Sequence, residues 1–324
     1  MPISETGKIE RNATKYAMGS VMGAGILMKE GRVFKKKRMG TFAYHVLSLP
    51  AIILSGGVVF IPAIQTIYSA FTNWNGISSN KEWIGLTNYQ EMFGDWIFWK
   101  AVINNFKWTL MFVTIPVIIA MTASVIMASL HLGSKSFQII YIIPYLLAPT
   151  TNAIIWLNMI FSPNAGLVGF LQKMGLNITS PVGNMDTALA GVAAVDMWHY
   201  WGFLAVIFLA ALRQTPQDQL ESAKIEGCNG WQTFRYIYLP SIAPTVRLML
   251  ILIVIYSFCT YDYIYLMTSG GPAHATEVLS TFSYSLAFSA FKFGKAAAVS
   301  LVMGALGCVA AFFYTWFSRK EALE

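Results

Sequence analysis

Charge is what this sequence has least of. Asp, Glu, Lys and Arg make up 11% of its 324 residues, where a water-soluble domain carries about 25%. With apolar residues at 56%, that deficit excludes a chain wetted over its whole surface. Cysteine is scarce too: Cys228, Cys259 and Cys308 are odd in number and far apart, which supports neither a disulfide framework nor a zinc site. There is no G-x-x-x-x-G-K-[ST] loop, so the chain is not expected to hold a nucleotide of its own. His45, His131, His199 and His274 are scattered, with no H-E-x-x-H, and no nucleophile or metal spacing supports an intramembrane enzyme. No short apolar core with a small-residue cleavage site opens the chain, so no cleavable signal is expected.

Long apolar runs are what the chain has instead. Six are long enough to cross a hydrocarbon core of about 30 Å as helices: roughly 42–70, 105–130, 137–161, 187–212, 246–268 and 296–317. Lipid offers backbone groups no partner, so each run is read as a helix. Pro50, Pro62 and Gly56-Gly57 predict a kink or break in the first run, and Pro144 and Pro149 in the third. The expected class is an all-α, polytopic membrane protein of six spans. Residues 1–41 form a basic leading segment, 42–318 the membrane domain, and 319–324 a short tail.

Orientation follows from the basic residues. Sixteen of the 22 Lys and Arg residues fall before position 39, between spans two and three, between spans four and five, and after span six. That places both termini in the cytoplasm and makes the net charge of +7 a topology signal that calls for no nucleic acid. Lys8–Lys29 is a candidate helix, and Lys35-Lys36-Lys37-Arg38 abuts the membrane as an anchor to anionic lipid head groups.

One loop between spans is unlike the others. Residues 215–244 read T-P-Q-D-Q-L-E-S-A-K-I-E-G-C-N-G-W-Q-T-F-R-Y-I-Y-L-P-S-I-A-P. Thr215 is positioned to cap a helix beginning at Pro216, Gly227 to end it in a left-handed turn, and Asn229 to cap a second helix. Trp231, Phe234 and Ile237 then recur on one face until Leu239 and Pro240 stop it. Such a knuckle, apolar on one side and held out of the membrane, asks for a partner to bury it.

This spacing resembles the signature loop of ABC-importer permeases, an E-A-A-x-x-x-G followed at a distance by L-P. Here it reads Glu221-Ser222-Ala223, Gly227, Leu239-Pro240 and Pro244. Asp262-Tyr263-Ile264-Tyr265-Leu266-Met267-Thr268-Ser269-Gly270-Gly271-Pro272 is similar to the end of the fifth helix in the carbohydrate-type members. Phe71-Thr72-Asn73-Trp74, Ile84-Gly85-Leu86-Thr87-Asn88-Tyr89 and Asn164-Ala165-Gly166-Leu167 resemble their outer loops. The likeness covers residues 40–318 in order, and within the group it leans toward alginate importers, although no motif here dictates that sugar. Ser222 and Cys228 stand where the family usually has alanine, and Glu226 where it has aspartate, which puts in question how tightly the loop grips its partner.

The resemblance implies the type I importer permease fold and alternating access driven by ATP and Mg on a separate ATPase dimer. It also implies a second, homologous permease, an extracytoplasmic solute-binding protein, and a place in the bacterial inner membrane. The knuckle residues Glu221, Ser222, Ala223, Glu226, Gly227, Trp231, Phe234, Leu239 and Pro240 would then be the ATPase contact. For substrate, the candidates are polar or aromatic residues within spans, since an ionisable group there needs a partner or a wet cavity. Asp196 and His199 share a face of the fourth span beside Trp198, Tyr200 and Trp201. Asp262 lies among Tyr261, Tyr263 and Tyr265, and Asn152 and Asn158 add polar points. Aromatic rings suit the apolar faces of sugars, and hydroxyls and carboxylates suit their edges. Two other readings stay open: Asp196 and His199 as a pair locking helices together, or as the proton relay of an ion-gradient carrier or channel.

Overall fold

The computed structural model describes residues 41–129 and 134–320, together with Met28–Lys29 and Arg32–Val33, which pair as a two-stranded antiparallel hairpin. These are the only strands among the described residues. The candidate helix over Lys8–Lys29 falls outside them except at its last two positions, where it gives way to that hairpin. The first span is a helix, Thr41–Ser69, with Pro50 and Pro62 inside it. Neither they nor Gly56-Gly57 interrupt it, since a break would strand backbone groups in hydrocarbon. The chain divides between Pro62 and Ala63, within this helix; everything below belongs to the larger unit, Ala63–Glu324.

The second span, Trp96–Ser129, begins nine residues before the apolar run. Phe98, in its first turn, is buried. The third span is two helical pieces, Ser136–Leu146 and Pro149–Ile160, bent by 93°, with Pro149 opening the second. Pro144 and Pro149 thus produce a break. Spans four and six are Ala188–Leu212 and Phe293–Lys320. Among the described residues five helices are long and apolar enough to cross a membrane, and the bent pair makes six if counted as one.

The fifth span differs from the expected 246–268. It runs Leu239–Phe258 and stops ten residues early, with a separate short helix at Asp262–Thr268. The stop has a visible cause: Asn105, buried in the second span, donates its side-chain N–H to the Ser257 carbonyl at 3.1 Å. A carbonyl that would otherwise need the next helical turn is satisfied across the bundle. The main core lies around the fourth span, where Val192, Val195, Leu204 and Phe208 pack against Trp108 and Ile253. Span four and the first half of span three pack tightly at Gly202, where an added Cβ would sit 1.8 Å from the Tyr141 carbonyl oxygen.

Candidate functional site

Two features stand out, at opposite ends of the fifth span. The knuckle comes first. Its leading helix is Gln217–Ile225, one residue later than expected, with Pro216 in the capping position and no side-chain cap. Thr215 does not cap it; its hydroxyl is buried and donates to Ser241 Oγ at 3.2 Å, tying the two feet of the knuckle together. Gly227 ends the helix at φ +76°. Its N–H donates to the Lys224 carbonyl, and the N–H of Cys228 to that of Ala223, which is the double closure of a Schellman turn. Asn229 then starts the second helix with a reciprocal cap. The Gln232 N–H donates to Asn229 Oδ1 at 2.9 Å, and the Asn229 N–H to Gln232 Oε1 at 2.8 Å.

Leu239 and Pro240 do not stop that helix. It passes from Gly230–Thr233 through a wide turn at Phe234–Tyr238, where the Leu239 N–H reaches back to Phe234, and continues into span five. The wide turn accommodates Pro240, whose ring would crowd a regular one. Glu221, Ser222, Glu226 and Gly227 are exposed, Ala223 is buried beneath them, and Phe234 and Leu239 are half-buried. Ile225 is 87% exposed and Trp231 70%, with the Trp231 and Phe234 rings 5.7 Å apart.

At the other end lies a cavity of about 560 Å³ between spans two, three, four and five. Asp196, His199, Tyr200, Tyr261, Asp262 and Tyr263 all line it. The break in the third span contributes Tyr145 and Pro149, in keeping with the rule that irregular backbone at membrane depth belongs beside a cavity. His199 Nε2 lies 3.3 Å from the Leu147 carbonyl inside that break, so in the tautomer protonated there it donates to a carbonyl the bend leaves free. Asp196 makes no hydrogen bond or ion pair to His199 among the described residues. Asp262 stands outside the span, as the first residue of the short helix, and still lines the cavity. Tyr263 is buried, and its hydroxyl accepts from Asn152 Nδ2 at 2.8 Å; Asn152 Oδ1 has no partner.

The other pathway candidates sit elsewhere. Trp198 meets Trp156 edge-on, Trp201 lies tilted against Tyr141, and Tyr265 stacks on Tyr261 and meets Tyr284 edge-on. Asn158 donates to the Ile154 carbonyl within its own helix. The sequence reading missed Tyr145, Phe203 and Tyr256 as cavity residues. Tyr145, four residues before Pro149 on a run expected to break, was the one with a signal.

The family model described as "Binding-protein-dependent transport system inner membrane component" matches residues 120–322. A probable ABC transporter permease of Pyrococcus horikoshii is 28% identical over 288 residues, 88% of this chain and 98% of the relative. The diacetylchitobiose uptake system permease NgcF of Streptomyces coelicolor is 31% identical, over 83% of this chain and 80% of its own length. Among solved structures, a bacterial ABC transporter involved in the import of the acidic polysaccharide alginate contains a chain with a TM-score of 0.77. It is 21% identical and covers 86% of this chain and 96% of its own; the likeness establishes the fold.

Proposed function

Because this chain belongs to the inner membrane components of binding-protein-dependent transport systems, the permeases of ABC importers, we propose that it forms half of a pathway for an oligosaccharide or polysaccharide. A solute-binding protein delivers the sugar from outside, and a second, homologous permease supplies the other half of the pathway. ATP and Mg bind on a separate ATPase dimer, which completes the complex. Both termini and the knuckle then face the cytoplasm, as the basic residues favour.

The observation that carries the coupling role is the knuckle itself. Two helices with a closed junction hold large apolar groups out in the open, Ile225 and Trp231 above all. Burying each such side chain against a partner is worth about 1.5–3 kcal/mol. Glu221, Ser222, Glu226 and the Gly227 turn form the polar side of the contact. Ala223 packs beneath it, and Phe234, Leu239 and Pro240 lead the motion into span five. Because the knuckle runs on into span five without a break, movement of the ATPase would tilt that span, and the cavity behind it, as one lever.

For the sugar, NgcF's substrate is an oligosaccharide, and the cavity here pairs tyrosines with carboxylates in the way glycan sites require. Asp196, His199, Tyr200, Tyr261, Asp262 and Tyr263 are the proposed contacts. Alginate is one candidate, through the fold neighbour, but the lining residues include two carboxylates and no Lys or Arg, so a polyanion would need its cations from the second permease. The proton-relay alternative finds no support: His199 is engaged by a backbone carbonyl, and the family assigns an ATP-driven complex. The test is uptake by the assembled complex in vesicles. Glycan accumulation that requires both ATP and the binding protein is expected; accumulation by this chain alone under an ion gradient would refute the assignment.

A further inference from the structure

A row of aromatic rings leaves the cavity at Tyr261 and runs outward over the surface at the end of span five opposite the knuckle. Tyr261 stacks on Tyr265 with centroids 5.0 Å apart and planes 15° apart. Tyr265 meets Tyr284 at 4.9 Å, Tyr284 meets Phe288 at 4.7 Å, Phe288 meets Phe293 at 5.5 Å, and Phe293 meets Trp74 at 5.4 Å. Every link lies in the range where aromatic pairs attract. Core aromatics of this protein such as Trp108 and Phe98 are 1% exposed, whereas Phe288 is 58% and Tyr265 36% exposed. Phe288 and Tyr265 therefore offer ring surface, while Tyr261, Tyr284, Phe293 and Trp74 are half-buried, and the Lys81 ammonium lies 3.8 Å over the Trp74 ring.

Two observations favour a sugar over lipid as what those faces meet. The row is continuous with the cavity, since Tyr261 lines it between Thr260 and Asp262. Its inner three members are tyrosines, whose phenol hydroxyls need hydrogen-bond partners that a wet surface supplies and hydrocarbon does not. The row is also fixed in place. The helix Leu279–Tyr284 is tied to the cavity rim by Ser280, whose hydroxyl donates to the Thr260 carbonyl. It is tied to the second span by the Leu279 N–H, which donates to Asn105 Oδ1 at 2.9 Å. A surface held rigid before its ligand arrives loses less on binding.

We propose that Tyr261, Tyr265, Tyr284, Phe288, Phe293 and Trp74 form a stacking track along which a chain of pyranose units passes from the extracytoplasmic side into the cavity. The apolar faces of the sugars lie on the rings and their hydroxyls meet the phenols. The track rests on the reading of this chain as a sugar permease, and its test separates the two. The complete complex with its binding protein, in vesicles, is offered diacetylchitobiose and longer chito-oligosaccharides alongside gluco-oligosaccharides and alginate oligosaccharides of matching length. If the wild-type complex takes up none of these, the sugar reading falls and the track with it.

Where uptake occurs, Tyr284→Leu and Phe288→Leu should each raise KM about tenfold, equivalent to about 1.4 kcal/mol. The loss should sit in KM rather than in maximal rate, should grow with glycan length, and should be rescued by Phe288→Trp. Leucine variants with wild-type KM, or with a lowered maximal rate at unchanged KM, would overturn the track and leave the rings as packing or lipid anchors. Should the leucine variants fail to assemble, Phe288→Trp still decides: its emission should change as the transported glycan is titrated in, and an unresponsive emission contradicts the proposal.

Discussion

The two loops that flank the fifth span are built in opposite ways. The knuckle, residues 213–238, closes its helices neatly but leaves its apolar groups uncovered. The loop after the span, residues 269–281, is knotted to its own protein. Glu277, 4% exposed, accepts from Thr281 Oγ1 at 2.7 Å and pairs with His274 Nδ1 at 2.8 Å. Asn104, buried in the second span, donates to the carbonyls of Ala275 and Glu277. One end of the span is complete in this chain; under the proposed coupling role, the other is finished by the ATPase. That asymmetry is what a lever requires: a fixed fulcrum where substrate passes and a free handle where force is applied.

Two glycines with nearly the same backbone make the comparison testable. Gly270, at φ +84°, would place a Cβ 2.5 Å from the Glu277 carboxylate, while Gly227, at φ +76°, has nothing within 4 Å. Gly270→Val should have the largest effect, combining left-handed strain of about 1–2 kcal/mol with expulsion of a buried carboxylate. Thermal unfolding in detergent should show it destabilised by about 3 kcal/mol or more. Asn105→Ala should follow at about 2–4 kcal/mol, since it leaves the Leu279 N–H and the Ser257 carbonyl unpaired. Gly227→Val should cost only the left-handed strain, about 1–2 kcal/mol, yet uncouple ATP hydrolysis from uptake. Trp231→Ser should change stability least, within about 0.5 kcal/mol, while still lowering transport. If the two glycine variants proved equally unstable, the contrast between the fixed end and the free end would be lost.

The same contrast marks what could be read from the sequence. Local chemistry was legible: the six spans, the left-handed Gly227, the Asn229 cap and the break between Pro144 and Pro149 all depend on residues a few positions apart. So was the common face of Asp196 and His199, which helical spacing dictates; that Asp262 lines the same cavity was not. What escaped depended on partners distant in the chain. Span five ends at Phe258 because Asn105 captures its carbonyl from 152 residues away. Thr215 abandons its helix for Ser241 across the foot of the knuckle. Pro240 fails to stop a helix because the preceding turn widens, an adjustment of the backbone that residue preferences do not encode. Asn104 and Asn105 were visible as polar points within a span, but nothing local said that they hold the far loop.

The most direct measurement is photo-cross-linking in native membranes from a reactive side chain placed at position 231, repeated at 225. The expected adduct is to a separate nucleotide-binding subunit, formed at both positions and altered in yield when ATP is trapped. Adducts confined to this polypeptide's own cytoplasmic ends would show that the exposed face of the knuckle meets no partner, and the lever would have no hand on it.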